Sequence, residues 1–171
     1  GAALMSVAVV DSGGANISSV LHALRRLGAE PVFTADAAAI RAADRVILPG
    51  VGAAGRAMEA LAGHGLVDVI RELRQPVLGI CLGMQLLFES SAEDEAPLLG
   101  LIPARLRRLE QGPGLRVPHM GWNEVHGLRA DPLTASLDGK WFYFVHSYCA
   151  PVGGWTLSTC VHGQPFSAIV R

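Results

Sequence analysis

The sequence is poor in cysteine, in net charge and in long apolar runs, and each shortage removes a class of protein. Its three cysteines, at positions 81, 149 and 160, form no C-x-x-C pair, which argues against a disulfide framework and against a structural zinc site. Fourteen basic residues stand against fifteen acidic ones, for a formal charge of −1. With the arginines scattered, no basic stripe marks a nucleic-acid surface. No apolar run approaches the roughly 18 residues of a spanning helix, and "GAALMSVAVV" at the start has neither the basic region nor the cleavage pattern of a signal peptide. The expectation is a soluble, cytoplasmic protein with no membrane contact, no metal and no cofactor.

Phosphate loops are also weakly represented. "DSGGAN" at 11–16 and "LPGVGAAG" at 48–55 lie after apolar segments, but neither matches G-x-G-x-x-G convincingly and no G-K-[ST] follows. The charge-dense stretches "ESSAEDE" at 89–95 and "ARLRRLE" at 104–110 read as a solvated loop and as a strand with an exposed face.

What remains is enough for one domain. Half of the 171 residues are hydrophobic, ample for a single core spanning 1–171. Residues 1–4 precede Met5 and read as an expression scar outside the fold. Short apolar strands are expected at 7–10, 31–34, 45–48 and 76–80. Helical spacing recurs between them: from Ile17 to Leu27 with Asn16 as N-cap, over 35–43, and over 54–73 with a break at Gly63-His64-Gly65. Alternation of this kind implies right-handed crossovers and a mostly parallel sheet covered on both faces, with functional groups at the carboxyl ends of its strands. After about Ile102 the pattern becomes strand-like, near 105–109, 123–126, 141–146, 156–161 and 166–170, implying an added, largely antiparallel layer.

Within this frame "GICLGMQLLFE" at 79–89 stands apart. The periodicity changes from strand to helix across Cys81, and glycines at 79 and 83 remove side chains that would crowd a sharp strand-turn-helix bend. That is the logic of a nucleophile elbow. A free cysteine is more often a small buried hydrophobe, which is the reading for Cys149 and Cys160, but the glycine bracket favours a nucleophile at Cys81. Gly50-Val51-Gly52 ends a neighbouring strand, where its amides could hold an oxyanion. A tight turn is the simpler alternative. A thiol nucleophile wants a histidine base. His22, His64, His126 and His162 read as surface or packing residues. His119 in "VPHMGWN" and His146 in "FYFVHSY" each border an aromatic segment, and spacing alone makes His146 the candidate base.

Taken in order, "PGVG", "GICLGMQLLFE", "VPHMGWN" and "YFVHSY" resemble the glutaminase subunits of imidazole glycerol phosphate synthase, which are class I glutamine amidotransferases of histidine biosynthesis. The resemblance implies a flavodoxin-like three-layer α/β sandwich with a nucleophile elbow. It also implies that Cys81 attacks the side-chain amide of glutamine, giving a glutamyl thioester and releasing ammonia. Gly50, Val51 and Gly52 would form the oxyanion strand with Leu82 supplying a second amide, and Gln85, Glu93, Ser147 and Tyr148 would contact glutamine. The implied partner is a (β/α)8-barrel cyclase, bound as a heterodimer through Asn16, His119, Met120, Trp122 and Asn123. The first loop departs from the family's D-Y-G-M-G-N at Ser12, Gly14 and Ala15 of Asp11-Ser12-Gly13-Gly14-Ala15-Asn16, and keeps the final Asn.

The family carries its base and orienting acid in an H-P-E motif after a segment like "FSAIVR". That segment ends this sequence at Arg171. The expectation is therefore that the His and Glu of the triad lie beyond Arg171 and that the 171-residue chain alone is inactive. Two alternatives follow: a non-catalytic module that binds the cyclase, and a different cysteine hydrolase that uses His146.

Overall fold

A computed structural model describes residues 4–14 and 17–171. The expected N-cap Asn16 lies outside the described residues, as do residues 1–3 of the proposed scar.

The first half alternates as its periodicity requires. β1 (Ser6–Val10), α1 (Ser18–Arg26), β2 (Glu30–Thr34), α2 (Ala37–Ala42), β3 (Arg45–Leu48), α3 (Ala54–Gly63), α4 (Val67–Glu72) and β4 (Val77–Gly79) follow in order. The break expected at 63–65 separates α3 from α4. The strands form a four-stranded parallel sheet in the order β2-β1-β3-β4. Successive side chains of β1 point to opposite faces, so Val7 and Val9 join Ile47 against Val20, Leu21 and Leu24 of α1. Ala8 and Val10 join Val46 and Leu48 in the larger core with Ile40 of α2, Leu61 of α3 and Ile70 of α4. Two helical layers thus enclose the sheet. Fully burying each such aliphatic side chain contributes about 1.5–3 kcal/mol.

The strand expected at 76–80 is present as β4. β4 is the edge of its sheet, and Leu78 is 45% exposed. The helix after Cys81 is shorter than its leucine spacing suggested. α5 (Leu82–Gln85) is a single turn, after which Leu86 and Phe88 are fully buried and the chain becomes β5 (Phe88–Ser91), followed by a 3-10 turn at Glu93–Glu95 and β6 (Ala96–Pro97). One turn offers little dipole to favour negative charge at Cys81. The segment 89–95 is therefore not simply a solvated loop: Ser91 is buried, and its hydroxyl accepts the Glu93 amide at 3.0 Å.

The second half contains three sheets instead of one layer. β7 (Ile102–Arg108) pairs parallel with β5, while β5 with β6 and β11 (Tyr148–Cys149) with β7 are antiparallel. β8 (His119–Glu124) and β10 (Trp141–His146) make a two-stranded antiparallel ribbon. β9 (His126–Gly127), β12 (Thr156–His162) and β13 (Gln164–Val170) form an antiparallel sheet in the order β13-β12-β9. β7 buries Ile102 and Leu106, exposes Arg105 and Arg108 and leaves Arg107 half-buried, much as its charge pattern predicts.

Candidate active site

The bend between β4 and α5 is built from backbone. Cys81 has φ 56° and ψ −117°, a conformation that costs an L-residue about 1–3 kcal/mol and persists only when its surroundings enforce it. Here they do. Ile80 donates its amide to the Leu48 carbonyl at 3.0 Å, Gly83 to Ile80 at 2.9 Å, and Gln85 to Cys81 at 3.2 Å. A Cβ on Gly79 would lie 2.7 Å from the Gly83 carbonyl oxygen, and one on Gly83 would lie 1.7 Å from that of Leu48. Neither position has room for a side chain. The Cys81 thiol is consequently exposed, whereas Cys149 and Cys160 are buried. Burial raises both of their pKa values, that of Cys160 to about 11, which leaves them unsuited to nucleophilic work.

Beside the bend, Gly50-Val51-Gly52 connects β3 to α3. The Leu82 amide, expected as an oxyanion donor, instead donates to the Gly50 carbonyl at 3.3 Å. An oxyanion can use that amide only once the Gly50 carbonyl has turned away. Turning the Gly50–Val51 peptide over changes ψ of Gly50, which is free to accept it, and φ of Val51, where a β-branched residue resists. A Cβ on Gly50 would lie 3.1 Å from that of Leu82, so this glycine also permits the close approach of the two segments. The loop is braced by Ser12, a buried residue that sequence reasoning missed. Its hydroxyl donates to the Pro49 carbonyl at 3.1 Å. A cavity of about 160 Å³ beside Cys81 is lined by Ser12, Gly14, Val20, Gly50 and Val51.

The expected glutamine-contacting residues come from three elements. Gln85 follows Cys81 by four residues, one helical turn, and its Nε2 donates to the Tyr148 carbonyl at 3.1 Å. Ser147 and Tyr148 lie where β10 passes into β11, and the Ser147 carbonyl accepts the Leu109 amide at 2.9 Å. Glu93 caps α3: its Oε1 accepts the Ala54 amide at 2.8 Å, which ties the acidic turn to the helix that starts after Gly52.

The residues expected at the partner interface divide between two sides of the ribbon. Met120 and Trp122 are exposed, in register with the exposed Val145 and Tyr143. His119 is only 5% exposed and faces the other way, because strand side chains alternate. Asn123 shares that inner side and donates to the Val161 carbonyl at 3.0 Å. Asn16 lies outside the described residues.

His146 is not available as a base. Its Nδ1 lies 2.9 Å from the Tyr148 carbonyl and its Nε2 lies 2.8 Å from Nδ1 of His119. Both ring nitrogens are therefore engaged, and the reading of a cysteine hydrolase that uses His146 loses its proton acceptor. His162 stacks on His119 with ring centroids 4.3 Å apart. Burial, followed by the nearby His146 and His162 rings, lowers the His119 pKa to about 4. Burial likewise lowers that of His146. Among the described residues, no group of three or more His, Cys, Asp or Glu side chains could hold a metal ion, and no helix is long and apolar enough to cross a membrane.

Comparison with known proteins places this geometry in context. The profile of the glutamine amidotransferase class-I family matches residues 8–164. The imidazole glycerol phosphate synthase subunit HisH of Xylella fastidiosa (strain Temecula1) is 52% identical over 169 residues, which are 98% of this chain and 84% of that protein. The HisH subunit of Xanthomonas axonopodis pv. citri is 49% identical over the same shares. Among solved structures, a glutamine amidotransferase superposes with a TM-score of 0.69 at 18% identity, covering 92% of this chain and 85% of that one. A Thermoplasma acidophilum protein described as a GMP synthase component gives 0.70 at 16% identity, covering 99% and 81%. At such identities the two structures speak for the fold alone.

Proposed function

The chain belongs to the class I glutamine amidotransferase family, and from that premise we propose that it is the glutaminase subunit of an imidazole glycerol phosphate synthase, with Cys81 as nucleophile. The observation that carries this assignment is the exposed thiol held at φ 56° and ψ −117° between two glycines that admit no Cβ. The sulfur attacks the carboxamide carbon of glutamine, ammonia leaves with a proton, and water then cleaves the glutamyl thioester to glutamate. The oxyanion of each step is held by the Leu82 amide, freed from the Gly50 carbonyl, together with the Val51 amide brought round by the same peptide rotation. Gln85, Glu93, Ser147 and Tyr148 surround the glutamine. The thiol proton passes to an imidazole other than His119 or His146, whose nitrogens are already bonded to one another.

Ammonia released at Cys81 serves a (β/α)8-barrel cyclase bound as the other half of a heterodimer. The side of the β8–β10 ribbon that presents Met120, Trp122, Tyr143 and Val145 to solvent supports this partner reading, because aromatic side chains are enriched in interface cores.

The test is a division of labour. In the assembled synthase, Cys81→Ala is expected to abolish glutamine-dependent synthesis while synthesis from added ammonia continues. Loss of both activities, or retention of both, contradicts the assignment.

A further inference from the structure

The polar atoms between the ribbon and the elbow form one chain whose donors and acceptors are all fixed. The Tyr148 carbonyl can only accept. It lies 2.9 Å from His146 Nδ1 and 3.1 Å from Gln85 Nε2, so the imidazole carries its proton on Nδ1 and the Gln85 amide turns its NH2 toward Tyr148. Nε2 of a neutral His146 is then an acceptor, and its neighbour at 2.8 Å, His119 Nδ1, carries the next proton. His119 Nε2 accepts in turn from Asn123 Nδ2 at 3.2 Å. Asn123 has no freedom either, since its Oδ1 accepts the Glu124 amide at 2.8 Å and its Nδ2 also donates to Val161. The chain runs Asn123 to His119 to His146 to the Tyr148 carbonyl, where Gln85 meets it from the other side.

We infer that His119 and His146 are positioning residues for the glutamine site, which through the Tyr148 carbonyl set the direction in which the Gln85 side-chain oxygen is presented. The role rests on the glutaminase reading above, since Gln85 matters in this way only if glutamine lies against it. The fixed roles require both imidazoles to be neutral, because a proton added to Nε2 of His146 would face the proton on His119. Their burial keeps them so: His119 stacks on Phe144 at 5.0 Å and on His162 at 4.3 Å, and Phe166 lies 4.9 Å from His146. The third histidine takes no part in the chain. His162 Nε2 donates to the Arg116 carbonyl at 2.8 Å.

Two variants of His146 separate positioning from mere packing. Asparagine places its amide nitrogen where Nδ1 stood and keeps a donor for Tyr148, whereas glutamine reaches toward the Nε2 position and abandons Tyr148. In the assembled, glutamine-hydrolysing complex, His146→Gln is expected to raise KM for glutamine roughly three- to tenfold, the range of one hydrogen bond. kcat should change less, and His146→Asn should stay near the wild-type KM. Equal losses in both variants, or a loss confined to kcat, overturn the positioning role.

A second measurement needs no variant and no turnover. In protein with 15N-labelled histidine at neutral pH, proton–nitrogen correlation spectra should show His119 and His146 both neutral and both in the Nδ1–H tautomer. An Nε2–H tautomer or a charged ring at either position overturns the chain whatever the protein does with glutamine. If the tautomers are as expected but glutamine is not a substrate, the glutaminase reading fails, and the positioning role fails with it.

Discussion

The Cys81 elbow and the β8–β10 ribbon handle geometry in opposite ways. At the elbow the backbone is the device: an unfavourable φ/ψ pair is held by main-chain hydrogen bonds and by two glycines whose hydrogens face carbonyls. In the ribbon the pairing register is unbroken and the side chains do the specifying, with exposed aromatics on one side and a run of hydrogen-bonded imidazoles, His119 buried and His146 half-buried, on the other. The contrast teaches which substitutions each region can absorb. A backbone device fails when a Cβ is added, and a side-chain device fails when a donor is moved.

The largest expected effect is at the elbow. Gly83→Ala puts a Cβ 1.7 Å from the Leu48 carbonyl oxygen, an overlap that β3 and α5 must separate to relieve. We expect a loss of more than about 4 kcal/mol, at the far end of single-substitution effects, seen as failure to reach a cooperative urea transition. A variant folding with near wild-type stability would show the bend to be soft.

On the ribbon's inner side the expected effect is a pH dependence. The folded protein holds His119 near 4, below the ordinary 6.5, so between those values the unfolded chain binds a proton that the folded one refuses. This contribution to stability is present above about 6.5 and is lost as the pH falls toward 4. Asp44 and Asp131, held below 3.8 by hydrogen bonds from the Ser6 and Leu133 amides, lose theirs only at lower pH. Thermal melts from pH 7 to pH 4.5 should show a falling Tm, with a shallower fall in His119→Phe. Equal slopes would remove His119 as the cause.

The smallest effect on stability belongs to the ribbon's outer side. Trp122 is 66% exposed, and Trp122→Ala should alter folding stability by no more than about 0.5 kcal/mol while weakening assembly with the cyclase about tenfold or more, as expected of a central aromatic contact. Titration calorimetry of the two proteins checks this. Unchanged affinity would move the interface elsewhere.

The same contrast explains how far the sequence could be read. The elbow was legible because it depends on glycine and on a change of period, both visible as letters: G-x-C-x-G, then leucines at helical spacing. The parallel half was legible for a related reason, since short β-branched runs alternate with helical spacing. β5 was hidden because Glu89, Ser90 and Ser91 look like loop, and only the fold shows that the Ser91 hydroxyl is satisfied by the Glu93 amide. His119 and Trp122 were grouped together by motif, although their odd spacing along one strand already assigns them to opposite sides. The histidine chain had no signature in the letters, because His119 and His146 meet only through pairing across 27 residues. The carbonyl of Gly50 against the Leu82 amide had none either, since a peptide's orientation leaves no trace in composition.

The central claim, that Cys81 is the nucleophile toward glutamine, is tested most directly by trapping the intermediate. The assembled synthase, quenched in acid during turnover of glutamine and digested, should yield one glutamyl-modified cysteine by mass spectrometry, in the peptide containing Cys81. Cys149 and Cys160 should be unmodified. Steady turnover with no adduct at Cys81 under conditions that preserve thioesters, or an adduct on either buried cysteine, would contradict the account.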